Sequence, residues 1–488
     1  MRINDFDDGL KFKKRRTSNT IFIIKIVFII FAIFAILSSV LFLSKMGSSD
    51  SYEMEEKGER YGNSEFIKYQ GKISVPVPSG GRYFLNGVDI NSFRILNLGD
   101  RDTRIIGLDK NHVYFGNIAI SDLDPNKLEV IGNGYYTDGT NSYFYSPFSE
   151  LDKESSKYIY PYKKIENAKN LKVLENFELF AVDGDNVYYK GEILNNADLN
   201  TLEIIDKNTE YFADKENVYY KSKLLALSSN EKLKVVRADQ EGEDYLFDGL
   251  NGNVYLEEYA FDKKYLPYQV LGEKSNHIRD LLFVNKDGIF FYNPETKEQE
   301  RVGDNIFKGK VENILSSVIS DDKNIYYLHS YDIYRKKRTK HGYIDILVSK
   351  NIGIFSLGEK KDWEKIKDID SGTTGQVWRK GNKYYYFDNL GVDQLIDDVV
   401  YEIKDNRTLE KLLDTKYIST DEIREFVRDK KLIAFKGEEV TTASIKYKES
   451  HKAEIFLIVF FATIIAITAL ILYLKWRNMK LEMKKSNL

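Results

Sequence analysis

Asp183, Asp185 and Asn186 place three oxygen-bearing side chains in one turn, Val182-Asp183-Gly184-Asp185-Asn186-Val187-Tyr188-Tyr189. Such a loop can hold a hard cation such as calcium, which takes several oxygen ligands. The same residues also suit a tight hairpin turn: Asp and Asn accept hydrogen bonds from the backbone that follows them, and Gly takes positive φ without strain. Three further copies weigh between these readings: Asp109-Lys110-Asn111-His112-Val113-Tyr114-Phe115, Asp214-Lys215-Glu216-Asn217-Val218-Tyr219-Tyr220 and Asp321-Asp322-Lys323-Asn324-Ile325-Tyr326-Tyr327. They keep the turn and the aromatic pair but bring in Lys110, Lys215 or Lys323, whose ammonium would oppose a bound cation. The expectation is turn chemistry, with no metal and no cofactor.

Two other groups of residues could do chemistry. The paired aromatics after each turn could stack on sugars or bases. Strand alternation predicts instead that one of each pair enters the core and the other packs across the strands; a solvent-facing aromatic row would be the sign of binding. Arg335-Lys336-Lys337-Arg338-Thr339-Lys340-His341 is a dense basic run just after one hairpin. It reads as a solvated loop or, functionally, as a polyanion contact made by Arg335, Lys336, Lys337, Arg338 and Lys340 toward an anionic envelope polymer or lipid headgroups. His112, His277, His329, His341 and His451 form no metal-ligand spacing, and neither a nucleophile elbow nor a phosphate-binding glycine loop occurs. A glycosidase carboxylate pair is defined by separation in space, so the sequence does not select one.

The totals narrow the field. The chain has 488 residues, 72 basic against 75 acidic, for a net charge of −3. That balance argues against a polyanion binder acting with its whole surface, and no nucleic-acid partner is expected. The chain has no cysteine, which removes disulfides, thiolate metal sites and cysteine nucleophiles together. Its 35 Tyr and 29 Phe favour strands.

Two apolar runs bracket the chain: Ile21 to Leu43, interrupted by Lys25, Ser38 and Ser39, and Ile455 to Leu474, with no charge. Each is long enough to cross a bilayer core of about 30 Å as a helix. The first exceeds the 7–15 apolar residues usual in a signal peptide. Basic residues flank the outer side of each run, at 11–16 and 475–485, so the positive-inside rule puts both termini in the cytoplasm and the chain between them outside.

The stretch between the two runs is read as hairpins. An apolar lead-in (Leu179-Phe180-Ala181-Val182; Tyr211-Phe212-Ala213) runs into the Asp turn, and a Val-Tyr-Tyr strand leaves it. A polar turn and a Leu-Glu-x-Ile strand recur after the hairpin, at Asp198 to Ile205 and Asp122 to Ile131. Looser copies begin at Asp138, Asp248, Asn285, Ser349 and Arg379. Spacings of about 30–45 residues are those of repeat arrays, whose units bury too little alone and must stack. The turn, the aromatic pair and the later strand together resemble the DKNYY family over roughly 80–335. The resemblance implies a bacterial cell-envelope repeat protein of no assigned activity, and it brings no catalytic residue.

The expected architecture is an all-β repeat ectodomain, propeller-like or else an open array or solenoid, between two transmembrane helices, with a small α+β segment before the second. In order, 1–20 is a basic cytoplasmic tail, 21–44 a transmembrane helix, 45–79 a linker, 80–395 the β-repeat domain, 396–452 the mixed segment, 455–474 the second transmembrane helix and 475–488 a basic cytoplasmic tail. Ser419-Thr420-Asp421-Glu422 predicts a capping-box helix start, Arg407 to Leu413 a short helix and Leu432 to Phe435 a strand. Two functions compete: a membrane-anchored, non-enzymatic envelope protein binding a protein or polymer, and an envelope glycan hydrolase with a carboxylate pair in a central cleft. Oligomeric state is left open.

Overall fold

The computed structural model describes residues 49–447 apart from 78–80, 97–100, 147, 149, 153–156, 167, 169, 241, 340–341 and 415. The described chain falls into two compact units. One runs to Leu202 and takes in Lys221–Leu224; the other comprises Glu203–Tyr220 and the chain from Leu225 onward.

In the first unit each repeat becomes one small antiparallel sheet. Four-stranded sheets cover 59–84, 94–120, 129–165 and 172–193. In the sheet at 94–120, Ile106–Leu108 and Val113–Phe115 are the lead-in and exit strands of the Asp109 turn, with Ile106 opposite Phe115. Asp183 pairs with Asn186 in the same way across the next hairpin but one. The core gathers Phe66, Ile73, Val75, Ile106, Val113 and Phe115, all buried.

The second unit continues the pattern. An antiparallel meander joins Glu203–Ile204, Tyr211–Ala213 and Asn217–Tyr220, and four-stranded sheets cover 233–260 and 269–303. Two five-stranded sheets follow. One contains β1 (Asn324–Thr339), β2 (Gly342–Glu359) and β3 (Glu438–Lys446), side by side in that order. The other takes its last two strands, Val400–Ile403 and Leu432–Ala434, from the segment expected to stand apart at 396–452.

Two expectations are corrected. A β domain between two transmembrane helices is not what the described residues show. Their helices, α1 (Ser49–Lys57), α2 (Asn406–Asp414) and α3 (Thr420–Arg428), have nine residues each. Nine residues rise only about 13 Å, well short of a bilayer core of about 30 Å, and no helix among the described residues is long and apolar enough to cross a membrane. The runs at 21–44 and 455–474, with both tails, lie outside the described residues. The second correction concerns the stretch read as a linker at 45–79. It holds α1 and strands at Glu59–Arg60, Ile67–Tyr69 and Lys72–Pro76, because its few apolar residues, Met54, Phe66, Ile67, Ile73 and Val75, all reach a core.

The helix start at Ser419 is a full capping box. The Ser419 hydroxyl accepts from the Glu422 N–H at 3.3 Å, and the Glu422 carboxylate accepts from the Ser419 N–H at 3.2 Å. Ile423 and Phe426 then enter the core. Ser419→Ala is expected to lower stability in urea by about 1 kcal/mol.

Candidate functional site

The aspartates of three copies of the turn, Asp109, Asp214 and Asp321, are engaged in building it, whereas Asp185 and Asn186 are exposed. Asp109 is 2% exposed. Its Oδ1 accepts from the N–H groups of Asn111 and His112, both at 2.7 Å. Its Oδ2 accepts from the Asp89 N–H at 2.9 Å and the Tyr114 hydroxyl at 2.7 Å. Asp321 repeats this: Oδ1 accepts from Lys323 and Asn324, and Oδ2 from the Lys308 N–H and the Tyr326 hydroxyl. Asp214 accepts from Glu216, Asn217 and the Tyr219 hydroxyl. Burial pushes the Asp109 carboxyl up, but the donors from Asp89, Tyr114, Asn111 and His112 outweigh it and hold it at about 2. The same contest lowers Asp138, Asp248 and Asp321.

The carboxylate therefore does two jobs. One oxygen closes its own turn. The other ties down the polar turn that opens the same sheet, at Asp89, Asp124 or Lys308, which is why the two sequence features recur together. The looser copy at Asn285 follows the same logic. Its Oδ1 accepts from Asp287 and Gly288, but its Nδ2 donates to the Tyr265 carbonyl. Where the second atom meets an acceptor, Asn replaces Asp, and the residue five on is Phe290, which has no hydroxyl to offer.

The expectation for the aromatic pairs is also corrected. Tyr114 and Phe115, Tyr188 and Tyr189, and Tyr326 and Tyr327 are buried as pairs. Alternation does send the two rings opposite ways, but both faces of the sheet are covered. Tyr114 lies 6.2 Å from Phe93, while Phe115 stacks on Tyr145 at 4.6 Å with 5° between planes. These pairs present no aromatic row to solvent.

The basic run lies elsewhere than in a loop. β1 and β2 are 16 and 18 residues long. Their partner β3 stops opposite Ser349, where Lys446 pairs with it. Beyond that point the two strands continue to Thr339 opposite Gly342. A β-bulge between Ile333 and Tyr334 marks the base of this arm, as bulges do where a ribbon must twist away from its sheet. Register places Tyr334, Lys336 and Arg338 on one face, opposite Leu347, Asp345 and Tyr343; Arg335 and Lys337 lie on the other, opposite Ile346 and Ile344. Tyr334 is 56% and Tyr343 69% exposed, and Ile344 is exposed too. The arm thus interleaves cations with rings and aliphatics, and Asp345 is the one acidic residue between 334 and 347. Lys340 lies outside the described residues.

At the foot of the arm a cavity of about 160 Å³ opens among Asp239, His277, Asp280, Ser330, Lys350 and Asp393. Sequence reasoning missed it, since its parts come from segments far apart. The fully buried His277 Nε2 meets Asp388 Oδ2 at 3.0 Å across 111 residues. Asp388 also accepts from the Leu390 and Gly391 N–H groups and the Tyr386 hydroxyl. Burial, with Glu243 and Asp239 nearby, pushes the Asp280 carboxyl up to about 6 against the pull of Lys350 and Arg279. A carboxyl whose folded pKa is raised contributes most below its unfolded value near 3.8, and that contribution is lost as pH rises toward 6. Asp280→Asn is accordingly expected to raise stability by about 1–2 kcal/mol at pH 8 and hardly at all at pH 4, read from urea midpoints.

Residues 66–223 match the DKNYY family. No curated protein matches the chain. A solved structure described as the extracellular domain of the hybrid two component system BT4673 from B. thetaiotaomicron aligns over 69% of this chain and 61% of its own length, at 11% identity and a TM-score of 0.14. A likeness this slight carries no argument about fold or function.

Proposed function

We propose that this chain is a non-enzymatic, extracytoplasmic protein of the cell envelope that binds an anionic polymer through the arm at 334–347. The observation that carries the reading is the arm itself. The scaffold spends its carboxylates and aromatic pairs on its own turns and cores, whereas the arm leaves exposed rings among four consecutive cations. Cations supply affinity for a phosphate- or carboxylate-bearing chain, and the rings supply flat contact area. Inorganic polyphosphate, titrated against the full chain by fluorescence anisotropy, tests it. Binding that disappears when Arg335, Lys336, Lys337 and Arg338 are all replaced by alanine supports the reading. Binding that survives in that variant, or binding to phosphatidylglycerol vesicles without binding to polyphosphate, overturns it.

The hydrolase alternative has one observation in its favour, the carboxylates gathered at the foot of the arm, one of them with a raised pKa as a general acid requires. Release of reducing sugar from cell-wall glycan, abolished by Asp280→Asn, is the outcome that would establish it.

A further inference from the structure

A second groove, of about 310 Å³, opens beside the sheet at 269–303. Two paired strands of that sheet, Gly288–Asn293 and Glu298–Gly303, supply Phe290, Gln299 and Arg301 to its lining, with Arg301 directly opposite Phe290. Alternation puts Gln299 and Arg301 on one face of their strand and Glu298, also in the lining, on the other. The segment before the sheet supplies Tyr259, Asp262, Lys264 and Tyr265. Tyr265 lies 4.7 Å from Phe290 and Tyr259 5.4 Å from Tyr292, so both rings cover the face that bears Gln299 and Arg301.

The polar groups here are held in place by bonds that leave part of each unspent. Gln299 Oε1 accepts from the Asp262 N–H at 2.8 Å, and its Nε2 donates to the Tyr268 hydroxyl at 2.6 Å, which leaves one amide hydrogen over. The Tyr259 hydroxyl accepts from the Gln299 N–H at 2.8 Å, and its own proton meets no acceptor among the described residues. Arg301 Nε and Nη2 donate to the Asp287 carbonyl at 3.1 and 2.9 Å, and Nη2 also to Asp304; Nη1 has no partner among the described residues. Lys264, by contrast, is paired with Asp262 at 2.9 Å. Fixed donors, one of them a cation, thus stand beside an ion pair that is already neutral. Groups held in advance cost little to order when a ligand arrives, and these suit a ligand rich in acceptors with one negative charge.

Volume and walls narrow the class. About 310 Å³ is twice the roughly 150 Å³ that holds one benzene ring in an engineered cavity, which gives room for about twelve non-hydrogen atoms. Tyr259 and Tyr265 are half-buried and form an apolar wall of the kind that packs against a saturated ring. We infer that this groove binds a single sugar ring bearing a carboxylate, the hexuronic acid class, with the carboxylate on Arg301 Nη1, ring oxygens accepting from Gln299 and Tyr259, and a ring hydroxyl donating to Asp262. The inference is independent of the arm's polymer and requires no reaction at the site.

Isothermal titration of the full chain with glucuronate, glucose and acetate at pH 7.5 tests it. Glucuronate is expected to bind at least tenfold more tightly than glucose, which lacks the charge, and than acetate, which lacks the ring; a charge-assisted bond is the stronger kind. Arg301→Gln, which keeps a donor for the Asp287 carbonyl, should erase the preference for glucuronate over glucose. Tyr259→Phe, which keeps the ring, should weaken both sugars about threefold and leave the preference intact. Equal binding of glucose and glucuronate by the parent chain, acetate binding as tightly as glucuronate, no binding at millimolar sugar, or a preference that survives Arg301→Gln would each overturn the assignment. Because the arm variant keeps this groove, its glucuronate affinity should equal that of the parent chain, so the two proposals fail separately.

Discussion

Replacing Asp109 by alanine is expected to cost about 3–4 kcal/mol in urea denaturation, the largest effect of any single turn substitution. The side chain closes no core volume of consequence; its role is to accept four hydrogen bonds, from the Asn111, His112 and Asp89 N–H groups and from the Tyr114 hydroxyl. Removing it leaves those donors unanswered at a position 2% exposed, at about 1 kcal/mol or more each. The Tyr114 bond should show itself as coupling. Tyr114→Phe is expected to cost about 1–2 kcal/mol in the parent chain and close to nothing once Asp109 is alanine. Equal costs in both backgrounds would show that the carboxylate and hydroxyl do not act together. Acid gives a second readout. A carboxyl held at about 2 contributes its roughly 2 kcal/mol in full above the unfolded value near 3.8 and loses it as pH falls toward 2, so Asp109→Ala should be less acid-sensitive than the parent.

Salt should weaken polyphosphate binding steeply. Each cation that neutralises a polymer charge releases a counterion, and for a single-stranded polyanion the logarithmic slope is about 0.7 per contact. Four contacts from Arg335, Lys336, Lys337 and Arg338 therefore predict a loss of roughly 50-fold between 50 and 200 mM salt. Replacing all four should flatten that dependence as well as reduce the affinity by at least about a hundredfold. Tyr343→Ala should weaken binding several-fold without changing the slope, because a ring carries no counterion. A slope that survives the fourfold substitution would place the charged contact elsewhere on the chain.

The sequence was most informative where the signal is local. The Asp turns at 109, 183, 214 and 321 are hairpins because the carboxylate, the glycine or asparagine and the strand after them lie within seven residues. The capping box at Ser419 and the short helix around Arg407 to Leu413 are legible for the same reason. What depends on neighbours was not legible. Alternation at Tyr114 and Phe115 says that the rings point apart; that both directions meet protein depends on Phe93 and Tyr145, from other strands and turns. The run from Arg335 looks like a loop because its charges hide the pairing partner, yet Tyr334 to Thr339 finds a complementary strand across the tip. The cavity was invisible because His277 and Asp388 are brought together only by the tertiary fold.

If the arm at 334–347 binds polymer as proposed, the scaffold of carboxylate-closed hairpins should not need it for stability. The direct test replaces 334–347 by a two-residue Asn-Gly turn joining Ile333 to Val348, then measures the thermal midpoint and polyphosphate affinity of the same full-length protein. The expected result is a midpoint within about 2 °C of the parent, a shift that corresponds to about 2 kcal/mol or less in a chain of this size, together with loss of polymer binding. A midpoint lowered by about 10 °C, or polymer binding that persists without the arm, would contradict it.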